Sequence, residues 1–209
     1  MRLVLASNNA KKLIELRAMF GALPIELVAQ GELGISEAEE PHVTFIENAL
    51  TKARHAARAV QGAAIADDSG LCVDALGGAP GVISAHFAPL PQVSGDREAR
   101  RRAQDVANNV LLLDRLQGAI DRRAAFVSTL VALRHADDPE PLIAFGRWPG
   151  RVLEQPSGDG GFGYDPLMFI PELGVSAAQL GADVKNRHSH RGRAAAQMLE
   201  LLRERWHLG

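Results

Sequence analysis

The sequence predicts an α/β protein, and three observations carry that prediction. A short apolar run at residues 3–6 leads through a polar loop into a helical pattern, Leu13, Leu16, Met19 and Phe20. A second apolar run, Ala64-Ile65-Ala66, follows a long helical pattern and breaks into Asp67-Asp68-Ser69-Gly70. Two further strand-like runs, residues 124–133 and 141–145, are joined by the polar turn Arg134-His135-Ala136-Asp137-Asp138 and fit an antiparallel hairpin.

Composition sets the frame. Of 209 residues, 46% are hydrophobic and 23% charged, ordinary for a globular chain that buries a substantial core. One domain over residues 1–209 is expected, with room for two lobes around a cleft. The net charge of −2 gives no whole-chain attraction to nucleic acid or anionic membrane. Cys72 is the only cysteine, so an intrachain disulfide is excluded and a reducing compartment is the default. Residues 1–7 do not read as a secretory leader, and no run is long enough to span a bilayer. A cytoplasmic enzyme or binding protein is expected.

The elements follow in order. The first strand gives way to Ser7-Asn8-Asn9-Ala10-Lys11-Lys12. Strand, polar loop and helix start can bind phosphate through backbone N–H groups and the helix dipole, with Lys12 adding a point charge. The plainer alternative makes Asn9 an N-cap, with Lys11 and Lys12 on a solvated face. Residues 25–29 alternate weakly, as a strand does. An acidic loop with Glu37, Glu39 and Glu40 comes next; usually such a run is solvated surface. Thr44-Phe45-Ile46-Glu47 is a capping-box pattern that opens a helix with Phe45, Ala49, Ala53, Ala56, Ala57 and Val60 on its apolar face. Asn48, Thr51, Lys52 and His55 form a separate polar stripe. The stripe is either solvated or borders a cleft, and in the second case Lys52 is a phosphate ligand.

Residues 64–71 read as a buried strand that ends by delivering Asp67 and Asp68 to a loop. Adjacent carboxylates repel, and a cation between or beside them relieves this, Mg²⁺ being the natural hard cation. An Asp-Asp-Ser-Gly turn capping backbone N–H groups is the plain alternative. Three glycines and a proline within residues 77–81 predict a tight turn. Residues 96–116 are helical in pattern, with Val106, Val110, Leu113 and Leu116 facing inward. The Arg100-Arg101-Arg102 run reads as a solvated face because acidic residues surround it and no aromatic interleaves it. In Ser157-Gly158-Asp159-Gly160-Gly161-Phe162-Gly163-Tyr164-Asp165-Pro166, the glycines allow close backbone approach and an aromatic can stack a base. Such loops also occur as turns with a core-anchoring ring. Ser189 is an N-cap candidate for a last helix whose inner face is Ala195, Met198, Leu199, Leu202 and Trp206, with His190 and Arg191 in its first turn. No zinc spacing and no nucleophile elbow is present.

These stretches, in this order, resemble the inosine triphosphate pyrophosphatase family. The matching pieces are Leu5 to Lys12 with Glu15, Thr44 to Ala49, Ile65 to Leu71 running into Gly77 to Gly81, Gly161 to Pro166, and Ser189 to Gly192. The resemblance spans nearly the whole chain. It implies an α/β fold with a long mixed β-sheet flanked by helices, two lobes and a nucleotide cleft between them. It also implies a homodimer, Mg²⁺ dependence, and cleavage of purine nucleoside triphosphates such as ITP, dITP and XTP between the α- and β-phosphates. By resemblance, Asp68 is metal ligand and proton acceptor for water, Asp67 assists, and Glu40 is the second metal carboxylate. Ser7, Asn8, Asn9, Ala10, Lys11, Lys12, Lys52 and Ser69 match triphosphate and sugar contacts. Phe162, Gly163, Tyr164, Asp165, Lys185, His190 and Arg191 match the base pocket, with the side chains and backbone N–H groups of His190-Arg191 expected to offer donors to the 6-keto oxygen.

The chain departs from the family pattern in three places. His86 follows Ser84-Ala85 where many members have arginine, Asn8 stands where glycine is frequent, and Gln179 replaces a common glutamate. The physics of the assignment is coherent. A triphosphate brings about four negative charges, which lysines, helix N-termini and Mg²⁺ neutralise, while carboxylates hold the metal and take a proton from water. Two rivals stand beside it: a pyrophosphatase for modified pyrimidine or methylated nucleotides, and a nucleotide sensor without turnover.

Overall fold

A computed structural model of the chain describes residues 1–90 and 96–208. Seven strands form one mixed sheet: β1 (Arg2–Leu5), β2 (Glu26–Ala29), β3 (Ala64–Val73), β4 (Arg123–Leu133), β5 (Leu142–Val152), β6 (Met168–Ile170) and β7 (Val175–Ser176). Their order is β2-β1-β3-β4-β5-β6-β7. β1 runs parallel to β2 and β3, whereas β6 is antiparallel to β5 and β7. The flanking helices are α1 (Ala10–Phe20), α2 (Phe45–Val60), α3 (Arg97–Arg115), α4 (Ala182–His188) and α5 (His190–Trp206). Among the described residues, no helix is long and apolar enough to cross a membrane.

The chain divides into two compact units. The first comprises Met1–Ser69, Ser128–Arg147 and Asn186–Gly209; the second comprises Gly70–Val127 and Trp148–Lys185. In the first unit the pleat sorts side chains to two faces. Leu3, Leu5 and Ile65 pack with Leu16 and Phe20 of α1 and with Ala195, Met198 and Leu202 of α5. Val4, Ala6, Ala64 and Ala66 point the other way, onto Ala49, Ala53, Ala56 and Ala57 of α2. Successive strand residues alternate faces. Continuing the alternation along β3 sends Asp67 to the α1/α5 face and Asp68 to the α2 face.

Local chemistry explains the helix starts. Asn9 accepts from Lys11 N and Lys12 N, Thr44 from Glu47 N, Asp96 from Ala99 N, and Ser189 from Gly192 N. Each side chain satisfies N–H groups that the helix leaves open.

Three expectations change. β3 does not stop at the aspartates but runs on through Ser69 and Gly70 to Val73. β5 extends to Val152, and its outward face alternates with a buried one. In α3, Val106 and Val110 are each 63% exposed, and the inward row is Gln104, Asn108, Leu112 and Leu116. The polar pair can be buried because its amides are used. Asn108 bonds Ala88 N and the Ser84 and Ala85 carbonyls, and Gln104 bonds the Ala88 carbonyl. Leu112 and Leu116 join Leu71, Val73, Phe126, Trp148 and Tyr164 in the core of the second unit. The turn at 77–81 forms as expected, with Gly77, Gly78 and Gly81 at φ of 62°, 93° and 58°.

Candidate active site

Asp67 and Asp68 are both buried, and the pleat gives each its own cation. Lys12 Nζ lies 2.9 Å from Asp67 Oδ2, and Lys52 Nζ lies 2.6 Å from Asp68 Oδ1.

Asp67 is fully engaged. Besides Lys12, it accepts from Arg191 Nε at 3.1 Å, Ser69 Oγ at 3.1 Å and Ser128 Oγ at 2.7 Å. Burial alone would raise its carboxyl, but Lys12 and Arg191 outweigh it and hold the group well below the usual range. An acid so stabilised as a carboxylate is a poor proton acceptor. Its contacts make Asp67 an anchor for Lys12 and Arg191.

Asp68 is different. Burial pushes its carboxyl up to about 6, against the opposing pull of Lys52. Its Oδ2 is buried and meets no hydrogen-bond donor among the described residues. Lys52 also contacts Glu40 at 2.9 Å. Burial would lower the Lys52 ammonium, but Asp68 and Glu40 together raise it. The polar stripe of α2 is therefore not a solvated face; Asn48 and Lys52 are buried.

These residues bear on the expected Mg²⁺. Among the described residues, no group of three His, Cys, Asp or Glu side chains gathers to hold a metal. Mg²⁺ does not need one, because it binds through one or two carboxylates plus substrate phosphates and keeps several waters. The donor-free Oδ2 of Asp68, with Glu40 on the same lysine, fits that mode of binding.

The loop before α1 only partly matches expectation. Asn9 uses its side chain on Lys11 N and Lys12 N, Ser7 Oγ accepts from Asn9 N, and Asn8 Nδ2 donates to Glu37 at 2.9 Å. The helix-start amides of Lys11 and Lys12, expected to face an anion, are thus taken by the N-cap. Ala10 opens α1 and is exposed. Lys12 is not on a solvated face. Burial lowers its ammonium, with Asp67 opposing that shift.

Arg191 does not match the base-reading expectation. It is buried, and its guanidinium bonds Asp67, Glu15 and Ser69 Oγ. Burial opposes its charge, yet Asp67 and Glu15 raise its pKa further. A planar fork matched to two carboxylates and a hydroxyl is committed to holding α1, β3 and α5 together. Its neighbour His190 is also buried at the start of α5.

In the second unit, Phe162, Gly163, Tyr164, Asp165 and Lys185 form a group of their own. Lys185 Nζ lies 2.6 Å from Asp165 Oδ2 and 4.7 Å from the Phe162 ring centroid. Asp165 also accepts from Phe162 N at 2.8 Å. Gly163 N donates to Asp105, and Asn109 donates to the Gly163 carbonyl. Tyr164 is a core ring whose hydroxyl donates to the Ser84 carbonyl at 2.8 Å, so its expected base contact gives way to an anchoring role.

The Ham1 family profile matches residues 3–201. The chain belongs to the Ham1 family. A dITP/XTP pyrophosphatase of Methylibium petroleiphilum is 71% identical over 206 residues, covering 99% of each chain. Another dITP/XTP pyrophosphatase, from Leptothrix cholodnii, is 64% identical over the whole of both. Among solved structures, a HAM1 protein from Coxiella burnetii superposes with a TM-score of 0.85 at 37% identity, covering 98% of this chain and 99% of that one.

Within this Ham1 chain, the sequence did not single out Ser128, Asp105 or Asn109. Ser128 and Thr129 are both buried in a mostly apolar strand, where a buried hydroxyl needs a partner. Asp105 and Asn109 sit one turn apart on α3, as a pair reaching one loop does. Glu15 was part of the matched first motif; its tie to Arg191 emerges only from the packing of α1 against α5.

Proposed function

We propose that this Ham1 protein is a Mg²⁺-dependent nucleoside triphosphate pyrophosphatase. Its substrates are the unusual purine nucleotides ITP, dITP and XTP, which it hydrolyses to the monophosphate and pyrophosphate, removing them from the nucleotide pool. The names of relatives up to 71% identical support the reaction and the substrate class. The observation that carries the chemistry is Asp68: a buried carboxyl pushed up to about 6, with one oxygen that meets no donor.

Asp68 accepts the proton of the attacking water as the water oxygen joins the α-phosphorus. The bond from that phosphorus to the bridging oxygen breaks, and pyrophosphate leaves. A carboxyl with a pKa near 6 suits this work, because it is ionised at neutral pH and still basic enough to take a proton. Glu40 and Asp68 would hold Mg²⁺, which when bound would supply charge neutralisation for the phosphates. Lys52 and Lys12 bind phosphate oxygens, exchanging carboxylate partners for phosphate ones as the nucleotide enters. Ser7, Asn8, Asn9, Ala10, Lys11 and Ser69 complete the triphosphate and sugar contacts. Phe162 stacks the base, and Lys185, Gly163, Asp165 and His190 supply polar contacts to its edge. Arg191 and Tyr164 act through the residues they hold. The protein works in the cytoplasm as a homodimer and acts on free nucleotides, not on nucleic acid or membrane.

Measurement of pyrophosphate released from dITP, XTP, ATP and GTP with and without Mg²⁺ tests this function. Release from dITP and XTP only with the metal is expected. Equal release from all four nucleotides, or binding without release, contradicts it.

A further inference from the structure

The polar stripe on α2 does more than present Lys52. All four of its residues reach the segment before the helix. His55 Nε2 lies 2.9 Å from the Ser36 carbonyl and 3.4 Å from its hydroxyl. Lys52 meets Glu40 at 2.9 Å. Thr51 Oγ1 lies 3.1 Å from His42 Nε2. Asn48 accepts from His42 N at 3.0 Å and donates to the His42 carbonyl at 3.1 Å. The order Asn48, Thr51, Lys52, His55 along the helix meets the order His42, Glu40, Ser36 along the segment. The segment is a strap laid antiparallel to α2.

Residues 35–42 have no regular secondary structure, so no ladder fixes them. Glu40 itself cannot locate the strap by packing, since its side chain is 45% exposed. Asn48 is 1% exposed, and its amide pairs with both backbone groups of one residue, as a β-partner would. Only a side chain with a donor and an acceptor does this; aspartate lacks the donor and leucine lacks both. His42 is two residues from Glu40, so fixing its backbone fixes where the Glu40 carboxylate stands.

We infer that Asn48, Thr51 and His55 form a latch that sets Glu40 beside Asp68, and that they are positioning residues for the divalent-cation site. This rests on the reading of Glu40 as a metal carboxylate given above. Residues that orient ligands without touching the metal are commonly worth about 10–100-fold in metal affinity.

Asn48→Ala, Thr51→Val and His55→Ala test the latch, the latter two serving if Asn48→Ala does not fold. In the metal-free protein, amide hydrogen exchange over residues 36–42 is expected to rise roughly tenfold or more, with β1 and β3 unchanged. The Mg²⁺ concentration for half-maximal pyrophosphate release from dITP is expected to rise about tenfold for Asn48→Ala, with nucleotide KM at saturating Mg²⁺ unchanged. In a Glu40→Gln background the same substitutions should change Mg²⁺ dependence less than about twofold, because their effect runs through Glu40. Losses that add fully to Glu40→Gln, or unchanged exchange in the strap, overturn the latch while the proposed function stands. Wild-type turnover indifferent to Mg²⁺ overturns the proposed function, and the purpose of the latch with it.

Discussion

Lys52 Nζ lies 2.6 Å from Asp68 Oδ1, on the opposite face of strand β3 from the contact between Lys12 and Asp67. Adjacent aspartates thus have separate environments. One is raised and open at an oxygen, and the other is lowered and saturated. Two neighbouring carboxyl groups pushed apart in pKa have distinct tasks available to them.

Asp68→Asn should fold normally and lose turnover by a factor on the order of 10² to 10⁴, the usual worth of a positioned base. Steady-state pyrophosphate release at saturating Mg²⁺ measures it. Near-normal turnover in a folded variant rules out Asp68 as the base.

The pH profile follows from the same group. Asp68 must be ionised to accept a proton, and its carboxyl sits at about 6. kcat/KM should therefore fall as pH drops below about 6. Lys52 pulls that value down, so Lys52→Gln should move the acid limb to higher pH besides weakening nucleotide binding. An acid limb that stays in place in Lys52→Gln shows that another group titrates.

Arg191→Ala removes one of the two buried cations on Asp67, Lys12 remaining, and breaks the pair with Glu15. Breaking a buried pair in this way costs about 3–5 kcal/mol, to be read from denaturant unfolding. Because the guanidinium is turned to carboxylates, activity on dITP and ATP should drop together. A dITP-to-ATP ratio that collapses toward one would return Arg191 to the base.

Asp138 closes the β4–β5 turn by accepting from Arg134 N, Arg134 Nε and Nη2, and Glu140 N. The Arg134 bonds lower its pKa against burial, far below the ordinary value of 3.8. A lowered carboxyl contributes stability above its unfolded-state pKa and loses it as pH falls from there. Asp138→Asn should cost about 1.5–3 kcal/mol at pH 7, only somewhat less at about pH 3, and much less once the pH falls through the lowered folded-state value. Equal losses across that whole range would contradict the charge-based contribution.

Much of the fold was legible because its signals are local. Asn9, Thr44 and Ser189 read as caps, and the alanine face of α2 read as core. The end of β3 was misread because Ser69-Gly70 has turn composition. A Cβ on Gly70 would fall 2.4 Å from the Gly81 carbonyl oxygen and the Ser84 hydroxyl, so glycine there permits close approach within a strand. The α3 face was misread because Gln104 and Asn108 are buried by bonds to residues far along the chain, whereas Val106 and Val110 stay exposed. At the site, residue types pointed to metal and phosphate chemistry. What one sequence could not give was the pleat's division of Asp67 from Asp68, or the commitment of Arg191 to Asp67 and Glu15. Those depend on which helix covers which face.

The most direct test is pyrophosphate release by the purified protein from dITP, XTP, ATP and GTP across a Mg²⁺ titration. Strong release from dITP and XTP that depends on Mg²⁺, with little from ATP or GTP, is the predicted result. Release that is indifferent to Mg²⁺, equal on all four nucleotides, or absent would contradict it.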